Sequence, residues 1–354
     1  MNNSATIIYP FRNRDVKRIR KSMLSLLEKN TSIENVLIID YGSSCEYQEK
    51  LKDLIGDLPA TLIRTETEGF FWNKSNALNL GIKNTRTKYA VAIDIDIVFN
   101  SGCIDHCIEV YSPESAIFQY YWFLPPNGDY AKSVCGGQDN CGGFMFMPTE
   151  DIIKLGGWDE NYDFWGLEDK DWMNRLRCCG YDIHWLDDSK YRGYHIWHPS
   201  TSDKTMYESE AMRLRKNYTY MKNSVFPCIS FNPNCLSRKD RPILDLLKKK
   251  DIKILDYSRG CIETSAFKIV SELRENGVIR IDIGLPFEHR KLERLSFISQ
   301  FLSRFIESTG FKLKKIENGN LGYIIQLLEI LKNGIIKDYY ITENMDSIFL
   351  LKDI

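Results

Sequence analysis

The sequence has no apolar run of the roughly 18–20 residues that a bilayer-spanning helix needs. Its opening stretch, MNNSATIIYPFRNRD, lacks the long apolar segment and small-residue cleavage site of an export signal. We therefore expect a cytoplasmic protein whose only membrane contact would be peripheral, at the inner face. There is no excess of one charge: 47 basic and 48 acidic side chains leave a net charge of −1. Residues 1–225 carry 26 basic and 31 acidic groups, and residues 226–354 carry 21 and 17. A nucleic-acid binder should show a concentrated basic face, and this chain does not predict one. Ten cysteines are present, but none falls in paired CxxC knuckles, which excludes a zinc-finger framework. Most are expected to be reduced, small and buried. Cys135 and Cys141 are spaced to meet across a short loop, but the absent export signal argues against a bond. No internal repeat or low-complexity tract occurs.

What is present is an alternating pattern. Residues 5–10 (ATIIYP), 35–44, 60–66 and 89–99 (YAVAIDIDIVF) read as strands. Residues 15–29, 46–55 and 74–84 read as helices. The order β-α-β-α-β-α-β predicts an open α/β sheet with parallel strands, in which ligands bind beyond the carboxyl ends of the strands. Residues 141–148 read as a strand, 149–157 as a short helix with a Thr cap and a Gly stop, and 169–179 and 207–220 as helices. A mixed Pro, Asn and Cys segment at 226–242 reads as a linker. It divides a first domain, 1–225, from a small α/β domain, 243–354. In the latter, 253–258, 278–284 and the tail from 347 are apolar strand-like runs, and 264–277, 292–310 and 322–333 are helical.

Four groups of residues carry chemistry. Asp94 and Asp96, two apart on an apolar strand, would project from one face. Hard oxygen ligands of this kind suit Mg²⁺ or Mn²⁺ held together with phosphate. Glu168, Asp169 and Asp171 open a helix, where the dipole favours acids. One of them could also take a proton from an acceptor hydroxyl, beside Trp165 as a stacking platform for a sugar ring. His195 and His198 supply imidazoles suited to a transition metal. Arg12 and Arg14 follow the first strand, where a guanidinium can fork onto phosphate.

Taken in order, PFRNR, WNKSNALNLGI, DIDIVF, GGFMFMP, GGWDENYDFWGLEDKD and YHIWHP resemble the β-1,4-galactosyltransferases. They also resemble the galactosyltransferase-like domains of chondroitin polymerases and polypeptide N-acetylgalactosaminyltransferases. The resemblance spans residues 5–200. It implies a GT-A (nucleotide-diphospho-sugar transferase) open mixed α/β sheet and a metal-dependent, inverting transfer of a hexose or N-acetylhexosamine from a UDP-sugar to a saccharide or lipid-linked saccharide. Galactose or N-acetylgalactosamine would be the sugar and bacterial surface polysaccharide the product. Residue by residue, it implies that Pro10, Phe11, Arg12, Arg14, Asp40, Trp72, Lys74 and Asp94 bind the donor. Trp165 would touch the acceptor, and Asp169 would be the base, beside Glu168. Asp96, His195 and His198 would be the metal positions for Mn²⁺ or Mg²⁺, with the ranking of the two histidines open. A Gly-rich loop around 135–143 could close over the donor. There are departures: Leu167 stands where the family usually has a glycine, Lys170 where it has an acid, and Tyr41 where related transferases often carry a second Asp after Asp40.

Two other readings remain at this stage. A nucleotidyltransferase would want a Gly-rich phosphate loop, and PFRNR has no Gly. A non-catalytic nucleotide-sugar or carbohydrate-binding module would tolerate loss of the acidic residues, which are intact. The carboxyl-terminal domain weakly resembles the carboxyl half of a methyltransferase but has no Gly-rich strand–turn–helix, so a docking or structural role is expected. The basic stretch 237–253 is expected to be a solvated linker or a contact for anionic lipid.

Overall fold

The computed structural model describes residues 3–137, 142–162, 166–186, 189–198, 221, 230–248, 251–257, 266–282, 328, 335–342 and 346–352. The expected helices at 207–220 and 292–310, that at 322–333 apart from Leu328, and the partner Cys141 of Cys135 lie outside them. The described residues fall in two compact units. One is drawn from 1–68, 72–199 and 214–236, and the other from 69–71 and 237–354. No helix among the described residues is long and apolar enough to cross a membrane.

In the first unit, β1 (Ala5–Phe11) is buried along its whole length. It lies between β2 (Ile33–Tyr41) and β4 (Tyr89–Ile93), parallel to both, and β3 (Thr61–Thr65) continues the parallel side next to β2. Burial on both faces is why β1 reads as a nearly continuous apolar run. Successive side chains alternate between two cores. Ile7, Tyr9 and Phe11 pack with Ile19, Met23 and Leu26 of α1 (Val16–Leu27), while Ile8 packs with Leu78, Leu80 and Ile82 of α3 (Lys74–Lys83). Helix α2 (Cys45–Asp57) completes this half. Gly81 lets α3 lie directly on β1, since a Cβ there would collide with Ile8.

On the other side of β4 the sheet changes direction. β9 (Phe144–Pro148) runs antiparallel between β4 and β6 (Ser115–Gln119), and β10 (Asp182–Leu186) closes the edge, giving the order β10-β6-β9-β4-β1-β2-β3. The sheet is thus mixed, with the four amino-terminal strands parallel.

Three expectations are corrected. Residues 89–99 are not one strand. β4 ends at Ile93, residues 94–96 turn, and β5 (Ile97–Phe99) enters a second sheet, β5-β11-β7-β8, formed with Tyr121–Phe123 (β7), Val134–Cys135 (β8) and Gly193–His195 (β11). Two carboxylates cannot be buried in mid-sheet without partners, so the ladder stops where they begin. Helix α5 (Thr149–Lys154) has Pro148 at its cap position. The Thr149 hydroxyl instead donates to the Thr87 carbonyl at 2.9 Å. Among the described cysteines only Cys103 and Cys107 are buried, on α4 (Cys103–Val110), while Cys45, Cys135, Cys178, Cys179 and Cys235 are exposed.

The second unit contains a four-stranded sheet, β12-β13-β15-β14, from Lys253–Asp256, Val278–Asp282, Ser347–Lys352 and Ile336–Ile341, with a helix at Ala266–Asn276. β14 was not expected from the sequence. At its core Arg241 donates to Asp338 (2.8 Å) and to the Tyr339 carbonyl (3.0 Å), with both charged side chains 1% exposed. The Arg241 guanidinium also lies 3.6 Å from the centre of the Phe70 ring, which stacks on Tyr339 at 4.6 Å. Gly69, at φ +76°, accepts a hydrogen bond from the Ile341 amide (2.9 Å).

Candidate active site

The site forms where β1, β2 and β4 end. After β1, Arg12 and Arg14 are half-buried in a loop fixed by Asn13. The Asn13 amide donates to Ser43 Oγ (3.0 Å), and its side-chain oxygen accepts from the Ser44 amide (2.8 Å). Asn13 adopts φ 47°, a left-handed conformation that asparagine tolerates. Pro10 and Phe11 are buried in β1, with Phe11 in the core. Asp40, at the end of β2, is fully buried; its carboxylate accepts from the Ser43 amide (2.9 Å) and from Arg64 (2.8 Å). Arg64 was not singled out from the sequence. Trp72 meets Tyr41 edge-on, with ring centres 5.6 Å apart.

The turn at 94–96 separates two clusters. The Asp94 amide donates to the Gly143 carbonyl (2.8 Å), and Ile95 is pinned in the core. Asp94 faces Lys74, whose Nζ lies 3.0 Å from it, 3.4 Å from Asp169 and 3.7 Å from Glu168. Burial alone would depress the Lys74 pKa, but Asp169, Asp94 and Glu168 together raise it well above the usual lysine value. Burial likewise pushes Asp169 well above the carboxylate range. Lys74 opposes that shift, and Glu168 and Asp94 reinforce it. One cation among three carboxylates cannot hold all three ionised at no cost. The Gly-rich stretch expected to close over the donor is described only at its ends, residues 135–137 and 142–143. A Cβ at Gly142 would collide with Asp169, and one at Gly143 with Asp94.

Glu168 and Asp169 open α6 (Glu168–Cys178), which is braced from behind. Arg175 donates to Asp171 (2.8 Å) and to the Leu155 and Gly157 carbonyls (3.2 and 2.7 Å), and Trp172 stacks on Trp158 at 5.0 Å. Leu167 precedes the helix at φ 76°. A branched residue there costs about 1–2 kcal/mol relative to a right-handed conformation, partly offset by glycine's entropy in the unfolded chain. Leu167→Gly is expected to raise the thermal midpoint by about 2–4 °C. A lowered midpoint in a melting experiment would overturn this. Trp165 lies outside the described residues.

The second cluster gathers at Asp96. His195, ending β11, and His198, three residues on, both come to Asp96. His198 Nε2 is 3.0 Å from Asp96 Oδ2, and His195 Nε2 is 3.6 Å from Oδ1. The ligand atoms of all three lie within 4.8 Å of one another. Arg18, on α1, reaches the same Oδ2 at 3.4 Å. Burial would raise the pKa of Asp96, but His198, His195 and Arg18 outweigh it and hold the carboxyl below its usual value. Arg14 stands near enough that burial and Arg18 lower its own pKa, against Asp96, Tyr47 and Asp94. One carboxylate oxygen and two imidazole nitrogens form a donor set suited to a first-row divalent ion such as Mn²⁺ more than to the all-oxygen cages of Ca²⁺. The residues present therefore fit a divalent metal, and both histidines belong to the group.

Two family models match parts of the chain. Residues 6–149 match the model of glycosyl transferase family 2. The large mixed sheet is of the GT-A glycosyltransferase type. Residues 129–199, which contain the acidic helix and both histidines, match the model described as the N-terminal domain of galactosyltransferase. No curated protein matches the chain. Among solved structures, GalNAc-T7 with UDP, GalNAc and Mn²⁺ is similar at 15% identity and TM-score 0.46, over 62% of this chain. This chain spans about half, 47%, of the length of that one. The catalytic domain of Drosophila β1,4-galactosyltransferase 7 in complex with xylobiose is similar at 16% identity and TM-score 0.39, over 55% of this chain and 71% of that one.

Proposed function

We propose that the protein moves a hexose or N-acetylhexosamine from a UDP-sugar to a saccharide hydroxyl, with inversion at the anomeric carbon. The observation that carries this reading is the pairing, on one three-residue turn, of a metal-type cluster at Asp96 with an acidic cluster at Asp169. The first suits a diphosphate and the second an acceptor hydroxyl. Asp96, His195 and His198 would hold Mn²⁺ (or Mg²⁺), which when bound neutralises negative charge on the departing diphosphate. Arg14 and Arg18 add fixed positive charge beside Asp96, and Arg12, in the same loop as Arg14, would add to it at the donor. Asp169 accepts the proton of the acceptor hydroxyl as its oxygen bonds to the anomeric carbon. The bond from that carbon to the diphosphate oxygen breaks, and UDP leaves with the electron pair. A carboxylate whose proton affinity is raised by burial suits this role. Lys74 orients Asp169 and Asp94 toward one point and remains charged, and Trp165 would pair with the acceptor ring.

The galactosyltransferase match favours galactose or N-acetylgalactosamine as the sugar. We place the reaction in bacterial surface polysaccharide assembly, in the cytoplasm or peripherally at the inner membrane face. In this reading residues 226–242 are a linker and 243–354 a docking domain. The test is UDP release from a panel of UDP-sugars with water as the only acceptor, in Mn²⁺, Mg²⁺ or chelator. Slow hydrolysis of one donor, stopped by chelator, is the expected result. If no UDP-sugar binds with either ion by calorimetry, the reading fails.

A further inference from the structure

Arg18 is the one guanidinium, among the described residues, recorded in an ion pair with Asp96. It has no place in the motifs that mark the site. It sits in the first turn of α1, next to Ile19, whose side chain is fully buried against the sheet, so the helix cannot rotate it away. The Arg18 and Asp96 side chains are 15% and 11% exposed, too dry for water to screen them fully. The oxygen Arg18 approaches, Oδ2, is also the one closest to His198. A divalent cation bound by Asp96, His195 and His198 would therefore arrive where a fixed positive charge already stands. Arg14 is a second such charge, close enough to Arg18 for each to feel the other. Asp96 and Asp94 are the carboxylates that act on Arg14, and against these two the two guanidiniums and a divalent ion would leave an excess of positive charge. A diphosphate supplies the missing negative charge. Without the cation, Asp96 has a partner in Arg18; with cation and diphosphate together, Arg18 has a partner in phosphate.

From this we propose that Arg18 couples the two ligands. It holds Asp96 when the site is free, weakens cation binding on its own, and passes to the diphosphate when the donor enters. Each ligand then binds more tightly in the presence of the other, as linkage requires. Arg18 is a positioning residue in the free protein and a donor ligand in the loaded one. The inference rests on the metal and UDP-sugar reading above.

The test measures Mn²⁺ affinity by electron paramagnetic resonance, with and without UDP, for the full chain and for Arg18→Gln, Arg18→Lys, Asp96→Ala and Arg20→Gln. Arg20 is exposed on the same helix and controls for the loss of one nearby charge. In the wild type UDP should tighten Mn²⁺ binding by a factor within the roughly 5–150-fold range usual for coupled sites. In Arg18→Gln, Mn²⁺ alone should bind about tenfold more tightly and the gain from UDP should shrink by a similar factor. Arg18→Lys should keep most of the coupling, and Arg20→Gln should behave as wild type. If Arg18→Gln leaves both the free affinity and the UDP gain unchanged, or if Arg20→Gln matches it, the coupling role is overturned while the metal site stands. If the wild type binds Mn²⁺ neither alone nor with UDP, or Asp96→Ala binds as well as wild type, the metal reading falls, and this inference with it.

Discussion

Asp169→Asn is expected to lower glycosyl transfer by about 10²–10⁴-fold, the usual worth of a positioned general base, while UDP-sugar binding changes little. The amide keeps the shape of the carboxylate but cannot take the acceptor proton. It also removes one of the three negative charges around Lys74. That change relieves the like-charge repulsion from Glu168 and Asp94 that adds to burial in raising the Asp169 pKa, and Lys74 keeps both of those carboxylates, so the fold should not suffer. The pH profile gives an independent reading. Because burial, Glu168 and Asp94 lift the Asp169 pKa against Lys74, the ionised form appears only above the ordinary carboxylate range. Transfer in the wild type should therefore rise with pH on a limb lying above that of a free aspartate, and this limb should vanish in Asp169→Asn. A variant that keeps near-wild-type turnover in a donor-saturated assay would remove Asp169 from the base role.

Asp338→Ala is expected to destabilise the second unit by about 3–5 kcal/mol, the cost of leaving a buried charge uncompensated. Arg241 would retain only the Tyr339 carbonyl and the face of Phe70 among the partners described above. The Ile243 amide, which donates to the same aspartate at 3.2 Å, would lose that acceptor too. Replacing both members, Arg241→Met with Asp338→Leu, should recover most of the loss, since apolar replacements of buried pairs are often close to neutral. Urea unfolding of the wild type, Asp338→Ala and the double variant measures this. A single variant within about 1 kcal/mol of wild type would mean that the pair is not desolvated as its burial implies.

The parallel half of the large sheet was legible because burial on both faces writes itself as uninterrupted apolar runs, as in ATIIYPF, and because α1 keeps its apolar spacing at Ile19, Met23 and Leu26. The candidate site was legible as a set of residue types in order. Its partition was not. YAVAIDIDIVF looks like one strand, because alternation continues through the aspartates, and only the partners of each half, β9 and β11, reveal two sheets. Arg18 reads as one of several cations on an amphipathic helix. Its meeting with Asp96, 78 residues away, depends on strand order that local pattern does not encode. Arg64 was silent for the same reason, since its partner Asp40 sits one strand over. In β14, Asp338 interrupts the apolar rhythm of IKDYYI, and without Arg241 in view that charge argues against a buried strand.

The turn at residues 94–96 acts as a ruler. Its ends serve different clusters, its middle residue is anchored in the core, and its backbone is tied to Gly143 on one side and to Ile196, whose amide donates to the Asp96 carbonyl at 2.8 Å, on the other. The spacing between where phosphate would be gripped and where a proton would be removed is thereby a property of the scaffold, insensitive to surface change. Diversification toward other sugars or acceptors in related chains would have to proceed outside the turn, at positions such as Leu167 beside Glu168, while insertions within the turn would be purged.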